Sequence, residues 1–242
     1  MKRLLPLLLC GVALADREAD LAVVGAMRDY YEMLRPGAGD GGIESVRDRL
    51  VANFAAASPD TQKSVLRQID RGFEPKYGKG EAFCATLCEI LAGCGRSGIN
   101  TLRNRVKASG KRPELRRAAA SALARCGNEE ALELLLQVCY DRDPTVAAAA
   151  VAGCAAYAKG KQDKRKATMR KLVDLYVKAT NDTSGKAPDS REIALYNALR
   201  PAMNETLKAF SGGEELDTAQ AWDAWLRENA GKPWADPPAG GG

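Results

Sequence analysis

The stretch from Pro113 to Tyr157, PELRRAAASALARCGNEEALELLLQVCYDRDPTVAAAAVAGCAAY, limits what this chain can fold into more than any other. Leu115, Ala118, Ala119, Ala122 and Leu123 recur at steps of three and four, which places them on one face of a helix. Gly127 can adopt the left-handed backbone that ends such a helix, and Asn128 can cap the next one. Ala131, Leu132, Leu135, Leu136 and Cys139 make a second apolar stripe. Asp143-Pro144 then opens a third helix, with proline in the first turn, where no N–H is needed. The pattern repeats: Cys94-Gly95 returns as Cys126-Gly127 about 32 residues on. Leu115 to Ala118 aligns with Val146 to Ala149 about 31 residues on. A period of that size marks stacked helical hairpins, none of which can bury its apolar face alone.

The rest of the chain fits the same scheme. An amphipathic helix is expected over 17–35, with Leu21, Val24, Met27, Tyr31 and Leu34 at helical steps, followed by a Gly-rich loop over 36–42. Helices follow over 43–57 and, opened by Ser58-Pro59, through 73. The segments 81–94 and 97–108 make the hairpin before the central stretch. After a basic turn at 159–166 come helices over 168–180, 190–210 (with Pro201 as a candidate kink) and 218–229. No strand pattern is found. The predicted fold is all-α: an α-solenoid of about five hairpins over 16–210, a Trp-bearing capping helix within 211–232, and a flexible Pro/Gly-rich tail over 233–242.

The first fifteen residues read as a signal peptide. Lys2-Arg3 is a basic start, Leu4 to Leu14 is a short apolar core, and Ala13-Leu14-Ala15 is an A-x-A cleavage site. The core is too short for a permanent membrane anchor, and no later stretch is long and apolar enough to span. The expected locale is therefore periplasmic or secreted. Lipidation at Cys10 is disfavoured, because Leu9 stands where a small residue is needed.

With these residues in place, the segment resembles HEAT repeats. The resemblance rests on Pro113 to Ala119, on Leu123, Gly127, Glu130-Ala131 and Leu135, and on Asp141-Arg142-Asp143-Pro144-Thr145-Val146. It is clear over about 80–160. It departs from the family pattern at Ala147, where arginine is usual. It implies an α-solenoid of the kind that mainly binds other proteins. Ala221 to Asn229 with Lys232-Pro233-Trp234 holds all three tryptophans. This part is similar to the tryptophan-rich closing helix of exported HEAT-repeat proteins of planctomycete-like bacteria. Trp222 and Trp225 lie on one helical face, as an end cap or as an aromatic contact surface for a partner.

The chemistry on offer is narrow. The chain contains no histidine, so it can form neither a Ser–His–Asp nor a Cys–His arrangement. Glu129, Glu130 and Glu133 open a helix, where acids favour the dipole, and Asp141 and Asp143 flank a turn and are suited to capping. Outside the signal segment lie Cys84, Cys88, Cys94, Cys126, Cys139 and Cys154. They are either small buried apolar residues or, in an exported chain, disulfide partners of unassigned connectivity. One Cys-x₃-Cys pair does not make a zinc site, and no metal or cofactor is expected.

A net charge of +5 is far short of a nucleic-acid-binding composition, although an anionic polymer remains a conceivable ligand. In a hairpin stack the second helices line the concave face, which makes Arg103, Lys107 and Arg170 candidate partner-binding residues. The expected function is a non-catalytic, extracytoplasmic protein-binding scaffold. The alternatives are an accessory or assembly subunit of an enzyme (of the lyase-type HEAT-like kind) and, third, a polyanion-binding module.

Overall fold

The computed structural model describes residues 5–108, 112–185 and 188–235. Those residues form eleven α-helices and two short 3-10 segments, Pro75–Tyr77 and Ala155–Tyr157, with no strand among them. The helices are α1 Leu5–Met33, α2 Ile43–Phe54, α3 Pro59–Arg71, α4 Glu81–Gly93, α5 Arg96–Ala108, α6 Pro113–Arg125, α7 Glu129–Val138, α8 Pro144–Cys154, α9 Gln162–Thr183, α10 Ser190–Ser211 and α11 Ala219–Asn229. The all-α class predicted from the sequence is the one adopted, and neighbouring helices stack in the manner of an α-solenoid. The chain divides into two compact units, Met1–Asn104 and Arg105–Gly242, with the division falling inside α5.

Local chemistry sets the helix ends. Ser58, Asn128, Asp143 and Thr218 each accept an N–H of the helix they precede, and Asp189 with Glu192 forms a complete capping box. Gly95 and Gly127, the repeated glycines, both have positive φ, 61° and 65°. That conformation strains any residue with a Cβ. The expected basic turn at 159–166 is mostly helix instead, because α9 already starts at Gln162. Nothing after Gly160 breaks a helix there, and Asp163 in the first turn complements the helix dipole. Of the expected signal peptide, residues 1–4 lie outside the described residues, and the backbone from Leu5 continues without a break into α1.

In the first unit α2 packs beside α4, while α1 packs on α2 and meets α3 only lightly. Val23, Tyr30, Leu50, Ile69, Phe83 and Leu87 are buried between them. Tyr30 donates its hydroxyl to Gln68 O at 3.2 Å, and the Ser58 N–H donates to Asp20 Oδ1 at 2.8 Å, so α1 is pinned to both ends of α3. α4 and α5 meet backbone to backbone: a Cβ at Gly98 would stand 1.8 Å from Leu91 O.

In the second unit α6, α8 and α10 form one tightly packed layer, and α7, α9 and α11 form the other. Small residues make the first layer close. Ala119, Ala120, Ala147, Ala150 and Gly153 are all buried, and Thr206 on α10 donates to Val151 O of α8 at 3.0 Å. Ala147, which stands where the repeat pattern has arginine, is among them. The polar link between layers comes from the preceding repeat. Arg116 on α6 donates through Nε and Nη2 to the two carboxylate oxygens of Asp141, each at 3.1 Å, and Asp141 also accepts the Asp143 N–H at 2.8 Å. Both side chains of this fork are largely buried.

The far end of this unit is closed by tryptophans. Trp222 is 0% exposed, and its indole N–H donates to Asn204 Oδ1 at 3.3 Å. Trp225 touches Trp222 edge-on and lies 5.2 Å, centroid to centroid, from Trp234. Trp234 falls in the segment expected to be a loose tail, yet it is only 7% exposed and donates to Asn229 O. Residues 236–242 of that tail lie outside the described residues. Trp222 is therefore core rather than contact surface; of the two tryptophans expected to offer an aromatic face, only Trp225 reaches solvent, and only in part.

No disulfide joins Cys84, Cys88, Cys94, Cys126, Cys139 or Cys154, the six cysteines beyond the signal segment. All are buried except Cys126, which is half-buried. Burial pushes the Cys94 thiol up to about 12 and the Cys126 thiol up to about 11. A hydrogen bond with Cys154, together with burial, holds the Cys139 thiol well up. Their repeat-matched positions suit small apolar packing, and a thiol that stays protonated is a poor nucleophile.

Two outcomes follow from this packing. Replacing Asp141 by alanine removes a largely buried carboxylate that accepts two hydrogen bonds from Arg116, and is expected to lower the unfolding free energy by about 3 kcal/mol in urea titration. A loss below about 0.5 kcal/mol would remove the fork from the list of stabilising contacts. In thiol titration near pH 8, Cys126 is expected to react first and slowly, and the other five only on unfolding. Missing thiols in denaturant without reductant would reveal a disulfide.

Candidate functional site

Within the second unit the two layers are not equally dense. α7 and α9 only graze each other, and a cleft of about 280 Å³ opens between them. Its floor comes from Leu132 and Leu136 on α7 and from Tyr157, all half-buried. One wall is acidic, with Glu129 and Glu133 on α7; the other is basic, with Lys161 just before α9 and Lys164 and Lys171 on it. Helical steps explain both walls: 129, 132, 133 and 136 share one face of α7, and 164, 168 and 171 share one face of α9. Lys164 reaches Glu129 at 3.2 Å, but this pair is exposed and weakly held. Tyr157 gives its hydroxyl proton to Leu123 O at 2.8 Å, so only its ring faces the cleft. Tyr140, one turn beyond Leu136, is 57% exposed and extends the apolar stripe.

The cleft sets an apolar floor between an acidic and a basic wall. The cleft holds carboxylates and lysines but no cysteine, and none of its ionisable wall residues is buried. No group of three or more metal-ligating side chains lies together among the described residues. Asp143 has a capping role: the Thr145 hydroxyl and then the Val146 and Thr145 amides hold its carboxyl below the ordinary range. The stabilisation this gives is present at neutral pH and is lost as the pH falls through and below the usual carboxylate value.

The cationic candidates separate. Arg103 lies on the first unit's part of α5, half-buried, and donates to Asn100 Oδ1 at 2.9 Å. Lys107, on the same helix, and Arg170, on α9, are exposed in the second unit. Arg170 does not line the cleft; its neighbour Lys171 does, since the 3.6-residue period carries position 170 to another face.

The basic run at the start of α9 also divides. Arg165 is buried and donates through Nη2 to Phe210 O at 2.7 Å and to Ala235 O at 2.9 Å. Lys166 donates to Ala230 O and Lys232 O and stands 5.4 Å from the Trp234 ring. These two cations fasten the C-terminal segment, whereas Lys161 and Lys171 stay exposed on the basic wall of the cleft.

Sequence reasoning missed the floor of the cleft because it assigned Leu132 and Leu136 to the core. A signal was present: α7 is apolar at 131, 132, 134, 135, 136 and 138, a wider band than one buried stripe requires.

A family model described as HEAT repeats matches residues 82–182, which run from α4 into α9 and include both walls of the cleft. Neither the curated proteins nor the solved structures gave a match to the chain. Over residues 82–182, then, this chain is similar to HEAT repeats.

Proposed function

We propose that the protein is a non-catalytic scaffold that binds another protein in an extracytoplasmic compartment, after removal of a signal peptide near Ala15. The cleft between α7 and α9 is its contact site in the second unit. HEAT repeats are commonly protein-interaction scaffolds, which supports the general reading. The observation that carries the specific one is the half-buried stripe of Leu132, Leu136 and Tyr157 beneath Lys161 and Lys171. Apolar side chains of a partner would bury against the stripe, and the lysines would set register and speed encounter with acidic residues beside them. Lys107 and Arg170, and separately Arg103, remain candidate contributors to the same partner's charge recognition.

The test is affinity capture from envelope extract of the source, repeated with Lys161→Glu/Lys171→Glu and with Leu136→Ser. A protein held at both low and high salt by the unaltered chain is expected to be lost about tenfold from each variant. The melting temperature of the charge variant should stay unchanged, since exposed substitutions of this kind cost little stability. Equal capture by all three forms would contradict the site. Capture that vanishes steeply with salt and recovers only polyanions would replace the scaffold reading with polymer binding.

A further inference from the structure

The cysteines take no part in the α7/α9 cleft, yet two of them meet beneath it. Cys139 follows the last residue of α7, and Cys154 is the last residue of α8. Their thiols share a hydrogen bond, and the two residues are 1% and 0% exposed. The packing beside them brings the same helix ends together. A Cβ on Gly153 would stand 3.3 Å from a methyl of Leu135, which lies one turn before Cys139 on α7.

The other cysteines are placed differently. Cys126 gives its S–H to Ala122 O at 3.6 Å. Cys84 and Cys88 are four apart on α4, which sets their Cβ atoms roughly 5–6 Å apart. A disulfide needs about 4 Å between Cβ atoms, so a regular helix cannot close that pair. For Cys139 and Cys154 the sulfurs must approach by an amount on the order of 1–2 Å from hydrogen-bond contact. Both stand where the backbone can give that much. Cys139 leads into the turn at 140–143, and α8 passes after Cys154 into the 3-10 segment Ala155–Tyr157.

We infer that Cys139 and Cys154 form a disulfide site, oxidised by thiol–disulfide exchange while the chain folds, and that the bond staples the end of α7 to the end of α8. In the folded chain both thiols are buried and protonated, so exchange takes place before the two helices close over them. One thiolate attacks a small disulfide such as oxidised glutathione and expels one glutathione thiolate. The second protein thiolate then attacks the protein sulfur of the mixed disulfide and expels the other. The two cysteines lose two electrons and two protons, and the glutathione disulfide gains them and leaves as two thiols. The inference rests on the extracytoplasmic reading for its oxidant in the cell. Since α7 carries Glu129, Leu132, Glu133 and Leu136, the bond would hold the acidic wall and part of the floor of the cleft against α8.

The test supplies its own oxidant, so its result does not depend on the compartment. The full chain is unfolded and reduced in urea, then refolded at about pH 8 in mixed oxidised and reduced glutathione. Free thiols are alkylated in denaturant, and the bond is mapped by mass spectrometry. Trypsin alone leaves Cys126 and Cys139 on one peptide, so cleavage after glutamate, at Glu129, Glu130 or Glu133, is added to separate them. The expected product is one Cys139–Cys154 crosslink, with Cys84, Cys88, Cys94 and Cys126 alkylated. Its melting temperature should exceed that of the reduced chain by at least about 5 °C, and Cys154→Ala should abolish this gain. The inference is overturned if Cys139 and Cys154 are both alkylated after oxidative refolding, or if either pairs with another cysteine. It is also overturned if the crosslinked chain melts no higher than the reduced one.

Discussion

Close contact between α6, α8 and α10 is the interaction on which the second unit depends. Helices can approach to small interaxial distances only where the side chains between them are small, and Ala119, Ala120, Ala147, Ala150 and Gly153 provide this along the whole seam. A Cβ on Gly153 would lie 3.2 Å from the Ala124 methyl and 3.3 Å from a Leu135 methyl, which leaves little slack. With one layer drawn so tight, the hydrogen bonds that cross it matter in proportion. The Arg116–Asp141 fork and the Thr206 hydroxyl on Val151 O satisfy groups that would be costly to leave unpaired in such packing.

The opposite layer is looser, and that difference is where function can reside. α7 and α9 are held at a distance by the helices beneath them, so their facing side chains meet across a cleft instead of closing it. In the first unit α1 and α3 also meet only lightly, with a groove between them. A repeat stack makes such grooves as a by-product of its geometry. Leu132 and Leu136 in the cleft are half-buried apolar side chains that a partner's apolar surface could cover.

Much of the architecture was legible in the residues. Helical periodicity, the paired Cys-Gly stops and the Asp143-Pro144 start are local signals, and each helix from α2 to α8 begins within a residue or two of where they put it. The start of α9 was not, because a lysine-rich run resembles a solvated turn when its helical phase is unmarked by apolar residues. The surface was harder to read. Which of Leu132, Leu135 and Leu136 faces the core depends on how far α9 stands from α7, and no local rule fixes that distance. The same holds for Arg165 and Lys166: as charges they read as solvated, yet they are tied to the carbonyls of a segment about seventy residues later in the chain. The buried Trp234 shows the same limit, since Pro and Gly around it signal a loop whether or not its ring is held.

The most direct test of binding through the looser layer is site-specific photo-crosslinking in the envelope of the source, with a photoreactive residue placed either at Leu136 in the cleft or at Ala152, exposed on α8. The account expects one discrete protein adduct from position 136 and none from 152. Adducts of equal strength from both positions, or from 152 alone, would contradict it.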